Sequence, residues 1–233
     1  MKFLVFLMML VSNAAGLLDL SGKMFTFPEE TNTAHMKLIP ALVNLQAVTV
    51  CHRSFTDLKR DHSLFSLASP TDNNEFLVFM QWGVQEIQPH VRNLRVEYRG
   101  LDYAPNKWNS ICTTWDSSSG LVQLWFNGQP LMKRYIANTS PLTNKPSIIL
   151  GQEQDTHGGA FAADQSFVGM MADVHMWNYV LSACEIQKYM KEQNFTPGNV
   201  LNWAALEFQS TGRVLIENKE MSCDLDKVFM NGL

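Results

Sequence analysis

The sequence has only one long apolar run, and it lies at the start of the chain. Residues 1–16 read MKFLVFLMMLVSNAAG, with one lysine, an apolar stretch over residues 3–11 and then small residues. This order is typical of a secretory signal peptide, and the stretch is too short to cross a bilayer as a helix. We therefore predict cleavage near Ala15 or Gly16 and a secreted, extracellular protein without a transmembrane anchor.

Positive charge is also scarce. The net charge is −4, and the longest basic runs are the pairs Lys59-Arg60 and Lys133-Arg134. Domains that bind nucleic acid carry a basic patch or stripe, and polybasic segments attach proteins to anionic membranes. We therefore expect no nucleic-acid partner and no polybasic membrane anchor.

Signatures of catalysis are missing as well. The chain has no Gly-x-Ser-x-Gly motif, and its six histidines show no His-x-x-x-His spacing. Glycoside hydrolases on related folds hold two carboxylates across the sugar, which on a strand would appear as alternating acids. Asp173 instead stands alone among the largely apolar residues 170–177. We predict that the protein is not an enzyme and that His157 is a solvated loop residue.

Cysteine occurs four times, and cysteines of a secreted chain are expected to form disulfides. Cys51 and Cys112 each lie inside a strand-like run, so a bridge between packed strands is the natural pairing. Cys184 lies at a helix start and Cys223 in the C-terminal tail. These two either pair with each other or leave Cys223 to pair between subunits, and the sequence alone allows three connectivities.

The pattern of the remaining chain is that of strands. Alternating, aromatic or branched runs occur at residues 25–27, 48–55, 64–67, 76–80, 94–98, 111–115, 121–126, 148–150 and 167–177. Asn127-Gly128 between two of these runs indicates a hairpin. One helix is predicted after a capping box, in which Ser182 accepts from the backbone and Glu185 reaches back. We predict an all-β, two-sheet antiparallel sandwich with one short helix on a face.

Residues 148–165, IILGQEQDTHGGAFAADQ, carry the most distinctive polar pattern. A strand breaks at Gly151, and the loop after it offers oxygen from Glu153, Gln154, Asp155, Asp164 and Gln165. Calcium takes six to eight oxygen ligands from carboxylates, amides and main-chain carbonyls. The loop therefore indicates a calcium site, although acidic glycine-rich loops after strands are more often solvated turns.

Six stretches together resemble the pentraxin family, specifically the short pentraxins. They are FTFP (25–28), VTVC (48–51), ICTTWDS (111–117), SIILGQEQD (147–155), VHMW (174–177) and NVLNW (199–203). The family signature is His-x-Cys-x-Ser/Thr-Trp-x-Ser/Thr. Cys112, Thr114, Trp115 and Ser117 fit it, while Ser110 stands where the family has a structural histidine. The resemblance implies a pentraxin domain over residues 17–213 and a tail over residues 214–233.

The resemblance implies a lectin-like jelly roll, a cyclic oligomer that is usually a pentamer, and two calcium ions on one face. These ions would hold phosphate or carboxylate groups of ligands. Glu153 and Asp155 would ligate both ions, with further oxygens from Asn73, Asn74, the carbonyl of Gln154, and Gln165 at the outer ion. The family usually has an aspartate where this chain has Asn73, with Asp72 adjacent as a substitute. The family's outer-ion glutamate falls on Ala162, with Asp164 as a partial replacement. Because fewer anionic ligands lower calcium affinity, we expect up to two ions and a weakened outer site.

The ligand pocket is less similar to the family. In pentraxins that bind phosphocholine, a phenylalanine that contacts the choline methyls aligns with Phe79. The glutamate that balances the quaternary ammonium aligns best with Asn93, so phosphocholine specificity does not follow. The sequence remains compatible with a phosphate or sugar ligand that is bound through calcium.

Two functions follow from these observations. The first is a secreted, calcium-dependent acute-phase protein of innate immunity that binds phosphate- or sugar-bearing ligands. Phosphocholine or phosphoethanolamine on microbial or damaged-cell surfaces are examples of such ligands. The second is a calcium-independent scaffold or adhesive module that binds proteins. Asn138 and Asn194 begin N-glycosylation sequons, which predicts a glycoprotein.

Overall fold

The computed structural model describes residues 17–42, 44–136, 140–143 and 145–219. The predicted signal peptide, the sequon residue Asn138 and Cys223 lie outside these residues. Within them, no helix has the length and apolar character needed to cross a membrane.

Sixteen strands and one α-helix form in the described part of the chain. The strands are β1 (Lys23–Phe27), β2 (His35–Ile39), β3 (Ala47–Phe55), β4 (His62–Ala68), β5 (Phe76–Gln81), β6 (Glu86–Val91), β7 (Leu94–Arg95), β8 (Tyr98–Arg99), β9 (Trp108–Asp116), β10 (Leu121–Phe126), β11 (Gln129–Pro130), β12 (Arg134–Tyr135), β13 (Ser147–Leu150), β14 (Gly169–Trp177), β15 (Glu207–Thr211) and β16 (Leu215–Asn218). The helix α1 spans Ala183–Met190, and single 3-10 turns form at Trp82–Val84, Ala163–Gln165 and Trp203–Ala205.

The strands form two antiparallel sheets of eight strands each. The first sheet has the order β11-β10-β9-β3-β14-β1-β16, with β12 also pairing β10. The second has the order β15-β2-β13-β4-β5-β6-β7, with β8 also pairing β6. This arrangement confirms the predicted all-β, two-sheet sandwich. The last strand of the first sheet, β16, lies beyond the domain boundary predicted at residue 213.

The core lies between the two sheets because alternate side chains of each strand point into the sandwich. On β5 the inward residues are Phe76, Val78 and Met80, and all three are buried in the main apolar cluster. The residues between them, Leu77 and Phe79, therefore face the other side of the second sheet. This outer face is the one that carries the candidate site.

A second, smaller cluster lies on the outer face of the first sheet, beneath α1. Cys51 and Cys112 are opposite each other on β3 and β9, and they form a disulfide with a Cα–Cα distance of 4.1 Å. The predicted pairing of these two cysteines is confirmed. Trp125, Trp177, Leu181, Ile186 and Tyr189 complete the cluster. Cys184 is exposed on the helix, and both alternatives for Cys223, pairing with Cys184 or pairing between subunits, stay predictions.

The start of α1 matches half of the predicted capping box. The Ser182 hydroxyl accepts a hydrogen bond from the main-chain N–H of Glu185 at 3.3 Å. The Glu185 carboxylate does not reach back to Ser182. It accepts instead from the main-chain N–H of Thr196 at 2.7 Å and from Lys188 Nζ at 2.6 Å. Glu185 therefore fixes the segment that follows the helix rather than the helix start.

Candidate functional site

The loop between β13 and β14 lies over the outer face of the second sheet. It begins at Gly151, whose φ of +93° and close approach to the Phe27 ring leave no room for a side chain. Its base closes where the Phe167 N–H donates to the Gly151 carbonyl at 2.9 Å. Arg60 secures the returning end, since its Nη1 donates to the carbonyls of Asp164 at 2.9 Å and Ser166 at 2.7 Å. The loop is therefore fixed at both ends.

Gln154 anchors the middle of this loop to the sheet beneath it. Its amide nitrogen donates to the carbonyls of Ser66 and Ser147 at 3.1 and 3.0 Å, and its amide oxygen accepts from the Gly158 N–H at 2.9 Å. The side chain is fully buried. Because the side-chain amide is occupied, the main-chain carbonyl is what Gln154 can offer to a metal, as the resemblance implies.

The neighbours of Gln154 instead point into a cavity of about 330 Å³ between the loop and the outer face of the sheet. The cavity is lined by Asp61, Asn74, Leu77, Phe79, Gln81, Gln88, His90, Arg95, Glu153, Asp155, Asp164 and Gln165. Six of these are residues that the sequence predicts for the site: Asn74, Phe79, Glu153, Asp155, Asp164 and Gln165. The fold thus brings together residues that are up to 91 positions apart (Asn74 to Gln165).

Within the described part of the chain, three oxygens around this cavity are buried and lack a hydrogen-bond partner. They are Asn74 Oδ1, Glu153 Oε2 and Gln165 Oε1. A buried acceptor without a donor costs about 1–3 kcal/mol, so such atoms are rare unless something else satisfies them. Carboxylate and amide oxygens are the ligands that calcium prefers. The oxygen ligands present here therefore fit a calcium ion.

The electrostatics of Glu153 support this fit. Its side chain is only 4% exposed, and burial together with the neighbouring Asp155 carboxylate raises the pKa of Glu153 to about 7. Both causes make the negative charge unfavourable when no cation is near. No group of three or more His, Cys, Asp or Glu side chains in the described ranges has a metal-binding arrangement. Any ion here would therefore depend on amide and main-chain oxygens as well as on carboxylates.

The other predicted ligands lie outside the cavity lining. Asn73 is not among the lining side chains, and neither is Asp72. The Asp72 carboxylate accepts from Asn93 Nδ2 at 3.3 Å and from the Thr71 hydroxyl at 3.0 Å. Asp72 is thus engaged with its own turn and with the β6–β7 turn. Ala162 is half-buried at the start of the 3-10 turn that carries Asp164 and Gln165, and its side chain has no oxygen to give.

The lining also contains residues that the sequence did not suggest. Asp61 precedes β4, and its Oδ1 accepts from the Trp82 N–H at 2.7 Å. A lone acid before a strand gives no signal in the sequence, because only the folded chain brings it beside the loop. Arg95 lines the far end of the cavity, where Asn93 was expected. Asn93 is exposed in the β6–β7 turn. The difference follows from strand register, because Arg95 pairs with the lining residue His90 whereas Asn93 lies in the turn between the two strands.

The remaining predicted residues are not at the cavity. His157 is exposed, and its Nε2 lies 3.0 Å from the Lys145 carbonyl. Asn194 is exposed in the segment after α1, where a glycan would have room, and its glycosylation stays a prediction. Asp173 lies in the first sheet beside Arg53 at 3.0 Å, on the side away from the cavity.

Comparison with known proteins agrees with this architecture. Residues 23–218 match the sequence model of the pentaxin family. The chain is 41% identical over 208 residues to serum amyloid P-component of Mus musculus, a match that covers 89% of this chain and 92% of the relative. The protein belongs to the pentraxin family. Its members are non-enzymatic, lectin-like proteins, which confirms the expectation that this pentraxin is not an enzyme.

Other pentraxins show a similar degree of relatedness. The C-reactive protein of Sus scrofa is 39% identical over 211 residues, covering 89% of this chain and 92% of the relative. The structure of a heptameric pentraxin from Limulus polyphemus, similar to serum amyloid P-component, aligns with a TM-score of 0.78 at 21% identity. That alignment covers 89% of this chain and all of the other. At this identity the alignment supports the shared fold alone.

Proposed function

We propose that this pentraxin is a calcium-dependent recognition protein that binds phosphate- or sugar-bearing ligands on microbial or damaged-cell surfaces. The observation that carries the proposal is the group of three unpartnered buried oxygens, on Asn74, Glu153 and Gln165, around one cavity. The cavity also holds an apolar contact surface, Phe79, beside these oxygens. A cation-binding end next to an apolar wall suits a small polar ligand.

The calcium would be held by Asn74 Oδ1, the Glu153 carboxylate, the Gln154 main-chain carbonyl, Asp155 and Gln165 Oε1. Calcium supplies positive charge that attracts a phosphate or carboxylate group of the ligand. These oxygens are positioned before calcium binds. The hydrogen bonds of Gln154 to the sheet and of Arg60 to the returning end of the loop hold them in place. Asp61 and Asp164, both at the cavity, are the carboxylates available to a second ion in place of Ala162.

We also propose that the protein is secreted and forms a ring of identical subunits. Relatives named serum amyloid P-component support the first point, and the resemblance to the pentraxin family, which implies a cyclic oligomer, supports the second. A ring would place several such cavities on one surface, so that weak individual contacts combine through effective concentration.

Calorimetric titration of the purified full-length protein with calcium tests the central proposal. We expect one or two ions per subunit and loss of binding in Glu153→Gln, because the substitution removes a buried anionic ligand. Glu217→Gln is the matched control, since Glu217 is exposed on β16 in the first sheet. Two ions would mean that Asp61 or Asp164 serves the outer site. Absence of binding at millimolar calcium would overturn the proposal.

A calcium-independent scaffold is the second candidate function, and the observation that favours it is Ala162, which offers no side-chain oxygen. Elution from a phosphorylated resin separates the two functions. A calcium-dependent pentraxin is released by EGTA, whereas a scaffold that binds through its surface is not.

A further inference from the structure

The cavity has a second, basic end that the calcium ligands do not use. His90 and Arg95 line it, and they are cross-strand partners in the β6–β7 ladder. On the other side of β6, His90 pairs with Leu77 of β5, which also lines the cavity. Because directly paired residues lie on the same face of a sheet, Leu77, His90 and Arg95 form one row across the outer face.

Of the two basic residues at this end, Arg95 is the one that carries charge near neutral pH. Burial and, to a smaller extent, the positive charge of Arg95 together lower the pKa of His90 to about 4. The ring is therefore neutral near pH 7, and Arg95 supplies the fixed positive charge at this end.

The carboxylates near Arg95 leave much of this charge uncompensated. Arg95 Nε lies 3.7 Å from Glu97 Oε1, and its side chain is 55% exposed. Glu97 is shared, because its other oxygen lies 3.0 Å from Arg99 Nη2. Glu86 on the adjacent strand is engaged with Arg99 Nε and with Gln88 Nε2. One shared carboxylate at 3.7 Å is a weak partner for a guanidinium that could form bidentate pairs.

We propose that the ligand of this pentraxin carries a second anionic group, which Arg95 binds while the calcium end holds the first. The proposal rests on the proposed function and extends it to a class of ligand: compact molecules with two anionic groups, such as a phosphate and a carboxylate on a short carbon chain. Arg95 is then a specificity-determining residue.

The same geometry disfavours a ligand that ends in a quaternary ammonium. Such a group is bound by aromatic faces together with a negative charge. In this cavity Phe79 supplies an aromatic ring, but the charged side chain at the far end is the cation Arg95. An ammonium placed there would meet charge of its own sign. Specificity would therefore come from repulsion of one ligand class as well as attraction of another.

Three probes that share a phosphate test this proposal: 3-phosphoglycerate adds a carboxylate, glycerol 3-phosphate adds no charge, and phosphocholine adds a quaternary ammonium. Affinities are measured by calorimetry with the full-length protein at one fixed concentration of free calcium. We expect the order 3-phosphoglycerate, glycerol 3-phosphate, phosphocholine, with about threefold between successive probes, as for exposed charge pairs. Raising the salt concentration should compress these differences.

Substitutions of Arg95 sharpen the test. Arg95→Gln should make the affinities for the three probes nearly equal. Arg95→Glu should reverse their order, so that phosphocholine binds most tightly. Lys191→Glu changes the net charge by the same amount as Arg95→Glu, but at an exposed position on the helix side. It should leave the order of the three affinities unchanged. Calcium titration of each variant, without probe, separates the two proposals. Absence of calcium binding by the wild-type protein would overturn both the calcium proposal and the inference about Arg95.

If calcium binds but phosphocholine is preferred, or if Arg95→Glu leaves the order unchanged, the inference about the second anionic group is wrong while the calcium proposal stands. The same holds if calcium binds and none of the three probes does.

Discussion

The buried polar groups on the two outer faces of the sandwich differ in their hydrogen-bond partners. Beneath α1, Trp177 Nε1 donates to the carbonyls of Thr196 and Pro197, each at 3.1 Å, and Arg53 contacts both Asp173 and the Tyr189 carbonyl. Around the cavity on the opposite face, buried oxygens of Asn74, Glu153 and Gln165 have no hydrogen-bond donor among the residues that the structure describes. Both faces are built by the same two-sheet scaffold. The first face also has buried polar atoms without a partner among the described residues, Ser110 Oγ and Trp125 Nε1. The difference is that the unpartnered atoms of the second face are three acceptor oxygens around one cavity, which a bound cation would satisfy.

The largest expected effect concerns the scaffold that both faces share. His52 is fully buried on β3, and burial lowers its pKa to about 4 from a usual value of 6.5. Between these values the unfolded chain binds a proton that the folded chain does not, so the free energy of unfolding falls as the pH drops from 6.5 to 4. One such histidine accounts for a loss of about 3 kcal/mol at pH 4.

The neutral substitution His52→Gln should therefore reduce the acid-induced loss of stability by about 3 kcal/mol, measured by urea unfolding at pH 7 and at pH 4. His157→Gln, at an exposed loop position, is the control and should behave as the wild type. An unchanged pH dependence in His52→Gln would show that the buried ring is protonated in the folded protein.

The next effect separates the two faces. Arg53 is 10% exposed, lies 3.0 Å from Asp173 Oδ2 and donates to the Tyr189 carbonyl at 2.6 Å. Arg53→Met keeps the apolar stem but leaves the Asp173 carboxylate with Lys219 as its partner. We expect the variant to lose about 2 kcal/mol of stability in thermal unfolding, less than for a fully buried pair because Asp173 is partly solvated.

Calcium binding should be unchanged in Arg53→Met, because the change lies on the other face of the sandwich. Lys191→Met, at an exposed position of the same face, should unfold within about 0.5 kcal/mol of the wild type. If Arg53→Met weakened calcium binding, the two faces would be coupled and the comparison would fail.

The fold was largely predictable from the sequence, and the site only in part. Strand alternation, the Asn127-Gly128 turn and the cysteines in two strand interiors determine the sandwich and its Cys51–Cys112 bridge, because these signals are local. The calcium loop is contiguous, so Glu153, Gln154 and Asp155 could be recognised together. Asp61 and Arg95 could not, since they are distant in sequence from the calcium loop and only the folded sheet brings them to the cavity.

The smallest effect in stability has the opposite sign to that of Arg53→Met. Glu153 is a buried carboxylate beside Asp155, with one oxygen lacking a donor. Glu153→Gln removes a buried charge while keeping the shape of the side chain. We expect the calcium-free variant to be more stable than the calcium-free wild type by about 1 kcal/mol, because the desolvation cost of that charge disappears.

Thermal unfolding of both proteins in EGTA and in calcium measures this difference. Calcium should raise the melting temperature of the wild type and leave that of Glu153→Gln nearly unchanged, because a ligand stabilises only the folded state that binds it. The order of the two proteins should therefore reverse between the two conditions. A variant that is less stable than the wild type in EGTA would mean that Glu153 supports the fold itself. In that case the two faces would not differ in kind.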